Sequence, residues 1–201
     1  MQEKSNTSKA VQLALNYLKS MDLETEYYNL RDFDIRPCRR CDMECYFERP
    51  YPDIREAEKL ASLLEVGYAI IVGTPVYNGT IPANLAAFLE RNPFPYDEVL
   101  VGKVTGAIII RSLGSVVALL MLTSWLAPKR KFVGWVNLDP RLTAARDPSL
   151  KNAWLEGTML QGEINKKQVI EVEKSIYNEL KITQFHFSTR LMVKCSLSCN
   201  I

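Results

Sequence analysis

Hydrophobic and polar positions along the chain alternate between helical and strand-like spacing. Val11, Ala14, Leu15 and Leu18 recur at the period of a helix, whereas residues 68–72 form a short apolar run typical of a strand covered on both faces. The same pattern predicts further helices at 54–64, 82–91, 115–127 and after 148, and further strands at 24–30, 103–110 and 132–136. This alternation predicts an α/β fold, an open parallel sheet with helices on both faces.

The first predicted element is a helix, and no strand is predicted before it. Ser5, Asn6, Thr7 and Ser8 are candidates for its N-cap. In a flavodoxin-like sheet of order 2-1-3-4-5, strand one is central and pairs with strands two and three. Either the true beginning is missing, or the sheet has a gap, a rearranged order, or a replacement strand from the tail or another chain.

Composition indicates one ordinary globular unit. The 201 residues are 47% hydrophobic and 24% charged, enough for one good core. We expect residues 1–183 to form the flavodoxin-like domain and residues 184–201 to form a C-terminal tail, strand-like or loosely ordered.

Charge and hydropathy exclude several classes of partner. The net charge is +2 and the basic residues are interleaved with acidic ones, which argues against electrostatic binding of nucleic acid. The first residues lack the apolar run of a signal peptide, so we expect a cytoplasmic protein. Gly106, Arg111 and Gly114 interrupt the apolar stretch 104–127, which favours a buried strand and helix over a membrane span.

Residues 73–79, with the sequence Gly-Thr-Pro-Val-Tyr-Asn-Gly, follow the predicted strand 68–72 and precede a helix. Open α/β sheets bind ligands in loops at the carboxyl ends of their strands. Gly73 and Gly79 let the backbone bend and let a flat ligand approach closely. From these residues alone, an ordinary βα loop with turn residues explains the pattern equally well.

Three cysteines, Cys38, Cys41 and Cys45, lie within eight residues after the second predicted element. Such thiols can converge on one metal ion or cluster, although four ligands are normally needed. Cys195 or Cys199 supplies the fourth only if the tail folds back. A redox pair of Cys38 and Cys41, a disulfide and plain reduced thiols remain open alternatives.

Four motifs in this order resemble those of the NADPH-dependent FMN reductase and iron-sulfur flavoprotein family. They are Ser-Asn-Thr at 5–7, Pro-Cys-x-x-Cys at 37–41, Thr-Pro-Val-Tyr-Asn-Gly at 74–79 and Phe-Leu-Glu-Arg at 88–91. The resemblance covers roughly residues 5–157, with the family's first strand missing. It implies a flavodoxin-like fold that binds FMN at the carboxyl edge of the sheet.

The resemblance also implies site residues. Ser5, Asn6 and Thr7 would be the remnant of a phosphate loop, in which hydroxyls and amides at a helix start receive the FMN phosphate; a plain N-cap is the alternative. The residues implied to lie along the isoalloxazine ring are Thr74, Pro75, Val76, Tyr77, Asn78 and Gly79, with Ser112, Leu113 and Gly114 from a second loop. The three neighbouring cysteines lack the nearby fourth cysteine of the family pattern.

The implied function is that of an FMN-dependent oxidoreductase. It would pass electrons from NAD(P)H or a donor protein to a flavin, quinone or other small acceptor, and the flavin would supply the chemistry. Family members often form homo-oligomers; neither nucleic acid nor a membrane is expected as a partner. The alternative is a degenerate flavodoxin-like domain without cofactor that acts as a metal- or partner-binding module. Whether the protein also binds an iron-sulfur cluster remains open.

Overall fold

A computed structural model describes residues 5–40, 42, 44, 55–91, 101–110, 115–126, 131–138, 163–183 and 192–195. The helices are α1 (Asn6–Lys19), α2 (Arg55–Glu65), α3 (Ala83–Arg91), α4 (Ser115–Leu126) and α5 (Glu163–Thr183). The strands are β1 (Glu24–Glu26), β2 (Ala69–Pro75), β3 (Val104–Ile110), β4 (Lys131–Leu138) and β5 (Met192–Cys195), and a short 3₁₀ helix, Leu30–Asp32, follows β1. The predicted α/β alternation is confirmed.

In the residues that the structure describes, the sheet has five parallel strands in the order β1-β5-β2-β3-β4. Strand β5 comes from the tail and lies between β1 and β2, where Val193 pairs with Thr25 on one side and with Ala69 on the other. This is the flavodoxin-like order 2-1-3-4-5 with β5 in the place of strand one. The tail therefore provides the replacement strand, and it satisfies inward-facing backbone groups that β1 and β2 would otherwise leave unpaired.

The predicted division between residues 183 and 184 stays a prediction. Four residues of the predicted tail, Met192–Cys195, nevertheless belong to the same sheet as the strands of the first 183 residues. The sequence predicts a tail that is strand-like or loosely ordered, and these four residues form a strand.

Each face of the sheet carries its own apolar core. Ile71 and Ile108 pack with α1 and α5 on one face, whereas Ile70 and Ile109 pack with α2, α3 and α4 on the other. All four isoleucines are fully buried, as the sequence predicts for central strands. In the part of the chain that the structure describes, no helix is both long and apolar enough to cross a membrane.

Candidate functional site

The start of helix α1 combines polar side chains with a first turn that contains no acidic residue. Ser5 is the N-cap, and its Oγ accepts a hydrogen bond from the N–H of Ser8 at 3.3 Å. Asn6, Thr7 and Ser8 are buried, and the first turn contains no acidic residue. A helix start of this kind attracts anions, because its backbone N–H groups and the positive end of the dipole point outward.

Tyr27, which directly follows β1, supports this helix start. Its hydroxyl donates a hydrogen bond to Ser8 Oγ at 2.7 Å and so ties the end of β1 to the first turn of α1. Sequence reasoning missed Tyr27, because the predicted strand runs over 24–30 and places this tyrosine in its middle, whereas the observed strand ends at Glu26. In the neighbouring residue, burial and a hydrogen bond to the Glu26 carboxylate raise the pKa of Tyr28 to about 12.

Gly73 determines how closely α1 approaches β2. A Cβ atom built on Gly73 would lie 2.3 Å from Val11 Cγ2 and 3.3 Å from Thr7 Cγ2. The missing side chain therefore lets the first turns of α1 lie directly on the end of β2. As a result, Thr7 of the first predicted group of site residues, 5–7, lies beside Gly73, the residue directly before the second predicted group, 74–79.

The 74–79 loop begins inside β2, because the strand reaches Pro75 rather than ending at residue 72 as the sequence predicts. Thr74 is fully buried, and its Oγ1 donates to the carbonyl oxygen of Pro75 at 2.9 Å. The N–H of Val76 donates to the carbonyl oxygen of Ile110 at 2.8 Å, which extends the bonding between β2 and β3. The loop is therefore anchored to the sheet at its base.

A tight turn forms the tip of the loop. The N–H of Tyr77 donates to the Thr80 carbonyl at 3.0 Å, and the N–H of Thr80 donates back to the Tyr77 carbonyl at 3.1 Å. Between them, Asn78 and Gly79 have φ values of 50° and 83°, both positive as in a type I′ turn. The turn leaves Tyr77 37% exposed at this edge.

The strand that precedes the predicted second loop ends at the same edge of the sheet as β2. Pro75 pairs with Ile110, so β2 and β3 end level with each other. Ser112, Leu113 and Gly114 lie outside the described residues, and their place in the site stays a prediction. Beyond them, Met121 of α4 accepts a hydrogen bond at Sδ from Thr80 Oγ1 at 3.3 Å, which joins α4 to the loop tip.

Of the three neighbouring cysteines the structure describes Cys38, which is exposed; Cys41 and Cys45 lie outside the described residues. Cys195 is in β5, where it pairs with Ile71. Among the described residues, no group of three histidine, cysteine, aspartate or glutamate residues could hold a metal ion. The cysteine metal site therefore stays a prediction.

Two residues at the end of α3 bind the backbone ahead of the cysteines. The N–H of Cys38 donates to Glu90 Oε2 at 3.0 Å, and Arg91 Nε donates to the Arg36 carbonyl at 2.6 Å. Arg91 Nη2 also donates to the Pro37 carbonyl. Sequence reasoning assigned no role to Glu90 and Arg91, although they end the Phe-Leu-Glu-Arg motif.

Comparison with known families matches residues 1–137 to the family described as NADPH-dependent FMN reductase. An iron-sulfur flavoprotein of Methanocaldococcus jannaschii is 33% identical over 106 residues, which cover 52% of this chain and 54% of the relative. An iron-sulfur flavoprotein of Archaeoglobus fulgidus is 31% identical over 78 residues, 39% of this chain and 40% of the relative. The chain thus matches about half or less of the length of these curated relatives.

Two solved structures share the fold. The azoreductase AzrA has a TM-score of 0.58 at 15% identity, over 81% of this chain and 92% of that one. FerB, a flavoenzyme NAD(P)H:(acceptor) oxidoreductase from Paracoccus denitrificans, has a TM-score of 0.50 at 16% identity, over 89% and 93%. At such identities the likeness concerns the fold alone, and it agrees with a flavodoxin-like sheet.

Proposed function

Because the chain belongs to the NADPH-dependent FMN reductase family, we propose that it is an FMN-dependent oxidoreductase. It takes electrons from NAD(P)H, or from a donor protein, and passes them to a flavin, quinone or other small acceptor. One observation supports the proposal: Thr7 and Val11 of α1 lie against Gly73, the residue directly before the 74–79 loop. FMN needs such a pair of neighbours, one for a phosphate and one for a flat ring.

The phosphate group fits the start of α1. Ser5, Asn6 and Thr7 offer hydroxyls, an amide and backbone N–H groups, and no carboxylate in the first turn repels an anion. A phosphate is favoured there by the dipole and by hydrogen bonding together. These residues therefore bind and orient the ligand.

The ring fits the 74–79 loop. The two-residue turn at Asn78 and Gly79 is preformed, so little conformational entropy is lost when a ligand binds. Tyr77, 37% exposed at this edge, is available to pack beside the ring. Bound FMN would supply the electron transfer, so the chain needs no acid or base side chain of its own.

A charge substitution separates phosphate binding from ring binding. Asn6→Asp keeps the shape of the side chain, and the helix dipole favours a carboxylate in the first helical turn. The substitution should weaken FMN binding about tenfold or more, because the carboxylate repels the phosphate. The affinity for riboflavin, which has no phosphate, should stay unchanged. Flavin fluorescence titration measures both affinities, and Asn16→Asp, at an exposed position of the same helix, is the matched control.

Turnover is tested on the FMN-loaded protein. Anaerobic mixing with NADPH or NADH should bleach the visible absorbance of the flavin, and added quinone or free flavin should restore it. A folded protein that binds neither FMN nor riboflavin would contradict the proposal and favour the alternative, a domain without cofactor that acts as a metal- or partner-binding module.

Association of identical chains and a cytoplasmic location belong to the same proposal. Helix α4 exposes Val116, Val117 and Leu120 on one face, at 65%, 54% and 62%. The helix contains no charged residue, so two copies of this face meet without charge repulsion. Since α4 also contacts Thr80, the residue directly after the 74–79 loop, the interface between two copies would lie beside the flavin site. A cytoplasmic location of the protein is consistent with NAD(P)H as the electron donor.

A further inference from the structure

Helix α3 connects the two regions of the chain that carry candidate chemistry. At its start, the chain passes from the loop tip at Thr80 directly into the helix, where the N–H of Ala86 donates to the Pro82 carbonyl at 3.0 Å. At its end, Glu90 and Arg91 bind the backbone of Arg36, Pro37 and Cys38. One helix of nine residues therefore lies between the proposed flavin site and the first cysteine.

The contacts at the end of α3 are specific. Arg91 is 8% exposed, and its planar guanidinium donates to two successive carbonyls. A lysine ammonium is a compact point charge that does not reproduce this fork. The Glu90 carboxylate accepts the N–H of Cys38, and hydrogen bonds to charged groups are stronger than neutral ones.

The backbone leading to Cys38 also packs along α3. Leu30 and Phe33 belong to the same apolar cluster as Leu85 and Phe88 of α3. Residues 30–38 are thus held to the helix by apolar packing near their beginning and by three hydrogen bonds at their end. A shift of α3 must move or strain this segment, because packed interiors transmit displacement.

We propose that α3 couples the flavin site to the cysteine segment, and that Glu90 and Arg91 are the positioning residues that transmit the coupling to Cys38. The inference rests on the proposed function, because FMN is the ligand at the other end. Coupling between two sites is reciprocal. FMN should therefore change the reactivity of the Cys38 thiol, and modification of Cys38 should in turn change FMN affinity.

The test measures alkylation of Cys38 by iodoacetamide, an uncharged reagent, with mass spectrometry to identify the modified cysteine. In the full chain, saturating FMN should change the Cys38 rate about fivefold or more. Arg91→Lys and Glu90→Ala should still bind FMN and should lose this response. Glu90→Gln should keep it, since its amide oxygen accepts the Cys38 N–H bond. Arg55→Lys and Glu171→Ala, exposed positions on α2 and α5, are the matched controls.

The possible failures are distinguishable. FMN binding with an unchanged Cys38 rate overturns the coupling and leaves the proposed function standing. An undiminished response in both Arg91→Lys and Glu90→Ala overturns the role of these residues. Absence of FMN binding in the separate fluorescence titration overturns the proposed function and the coupling with it. If Arg91→Lys does not fold, Glu90→Ala alone tests the coupling, because Glu90 is exposed on α3 and its replacement should not disturb folding.

Discussion

Val11 occupies the space that a side chain at Gly73 would need. The distance between an ideal Cβ on Gly73 and Val11 Cγ2 is 2.3 Å, far less than two carbon atoms tolerate. Helix α1 therefore lies against β2 only because residue 73 has no side chain. The proposed phosphate and ring sites owe their proximity to this contact.

Gly73→Ala should consequently separate α1 from β2. Overpacking of this kind lowers the free energy of unfolding by about 1–3 kcal/mol, and FMN affinity should fall with it. Urea denaturation and FMN titration measure the two effects. Adding Val11→Ala to Gly73→Ala removes the clashing methyl group and should restore part of the stability and part of the FMN affinity. If Gly73→Ala alone is as stable as the wild type, this account of Gly73 is wrong.

Glu173 of α5 makes the stability of the protein depend on pH. Its side chain is fully buried, neither carboxylate oxygen has a hydrogen-bond partner among the described residues, and burial raises its pKa from 4.5 to about 8. Between these values the folded state binds more protons than the unfolded state, so the free energy of unfolding falls as pH rises from about 4.5 to about 8. Below that window this group has no effect on the pH dependence.

Glu173→Gln should remove this dependence. Relative to the wild type, the variant should gain on the order of 3–5 kcal/mol at pH 8 and little at pH 4.5. Urea denaturation at several pH values measures the difference. Glu171→Gln, exposed on the same helix, is the control and should leave the slope unchanged. Parallel pH profiles of the wild type and Glu173→Gln would show that this carboxyl is ionised in the fold.

Gly79→Val should weaken flavin binding. At a φ of 83° a β-branched side chain is strained, and the added methyl groups would intrude on the approach of the ring. Affinities for FMN and riboflavin should both fall about tenfold or more, unlike those of Asn6→Asp. Asn78→Gly is the control for the turn, because glycine adopts a positive φ freely. Unchanged FMN affinity in Gly79→Val would count against the ring site.

Leu120→Asp should weaken association between chains. The leucine is 62% exposed in the middle of the uncharged face of α4, where two facing aspartates would repel each other and remain buried. Light scattering after size exclusion should show a smaller species than for the wild type. Ser62→Asp, exposed on α2, should not change the mass. A monomeric wild-type protein, or an unchanged mass for Leu120→Asp, would contradict the proposed contact.

The aerobically purified protein should carry substoichiometric iron and no stable cluster. The reason is that Cys38, Cys41 and Cys45 provide three local thiolates where a four-iron cluster needs four ligands. Iron analysis and absorbance spectra check this. An anaerobic preparation with close to four irons per chain, lost in Cys41→Ser, would overturn the prediction and identify an additional ligand as the next question.

Much of the fold follows from local pattern. Apolar runs such as Ile70–Ile71 and Ile108–Ile109 predict buried parallel strands because they require cover on both faces, and those residues are fully buried. Period and capping likewise predict α1, whose N-cap is Ser5, one of the four candidates. The candidate loop at 74–79 is also visible in the sequence, because its turn residues directly follow a strand.

The sequence by itself determined the alternation of elements, the buried strands and the motifs that indicate a flavin site, since each depends on neighbouring residues. Only the tertiary structure decided that Met192–Cys195 occupies the central place between β1 and β2, that Gly73 accommodates Val11, and that Arg91 binds the carbonyls of Arg36 and Pro37. These contacts join residues more than fifty positions apart. Local periodicity carries no information about such pairings, because they arise from the packing of whole elements against one another.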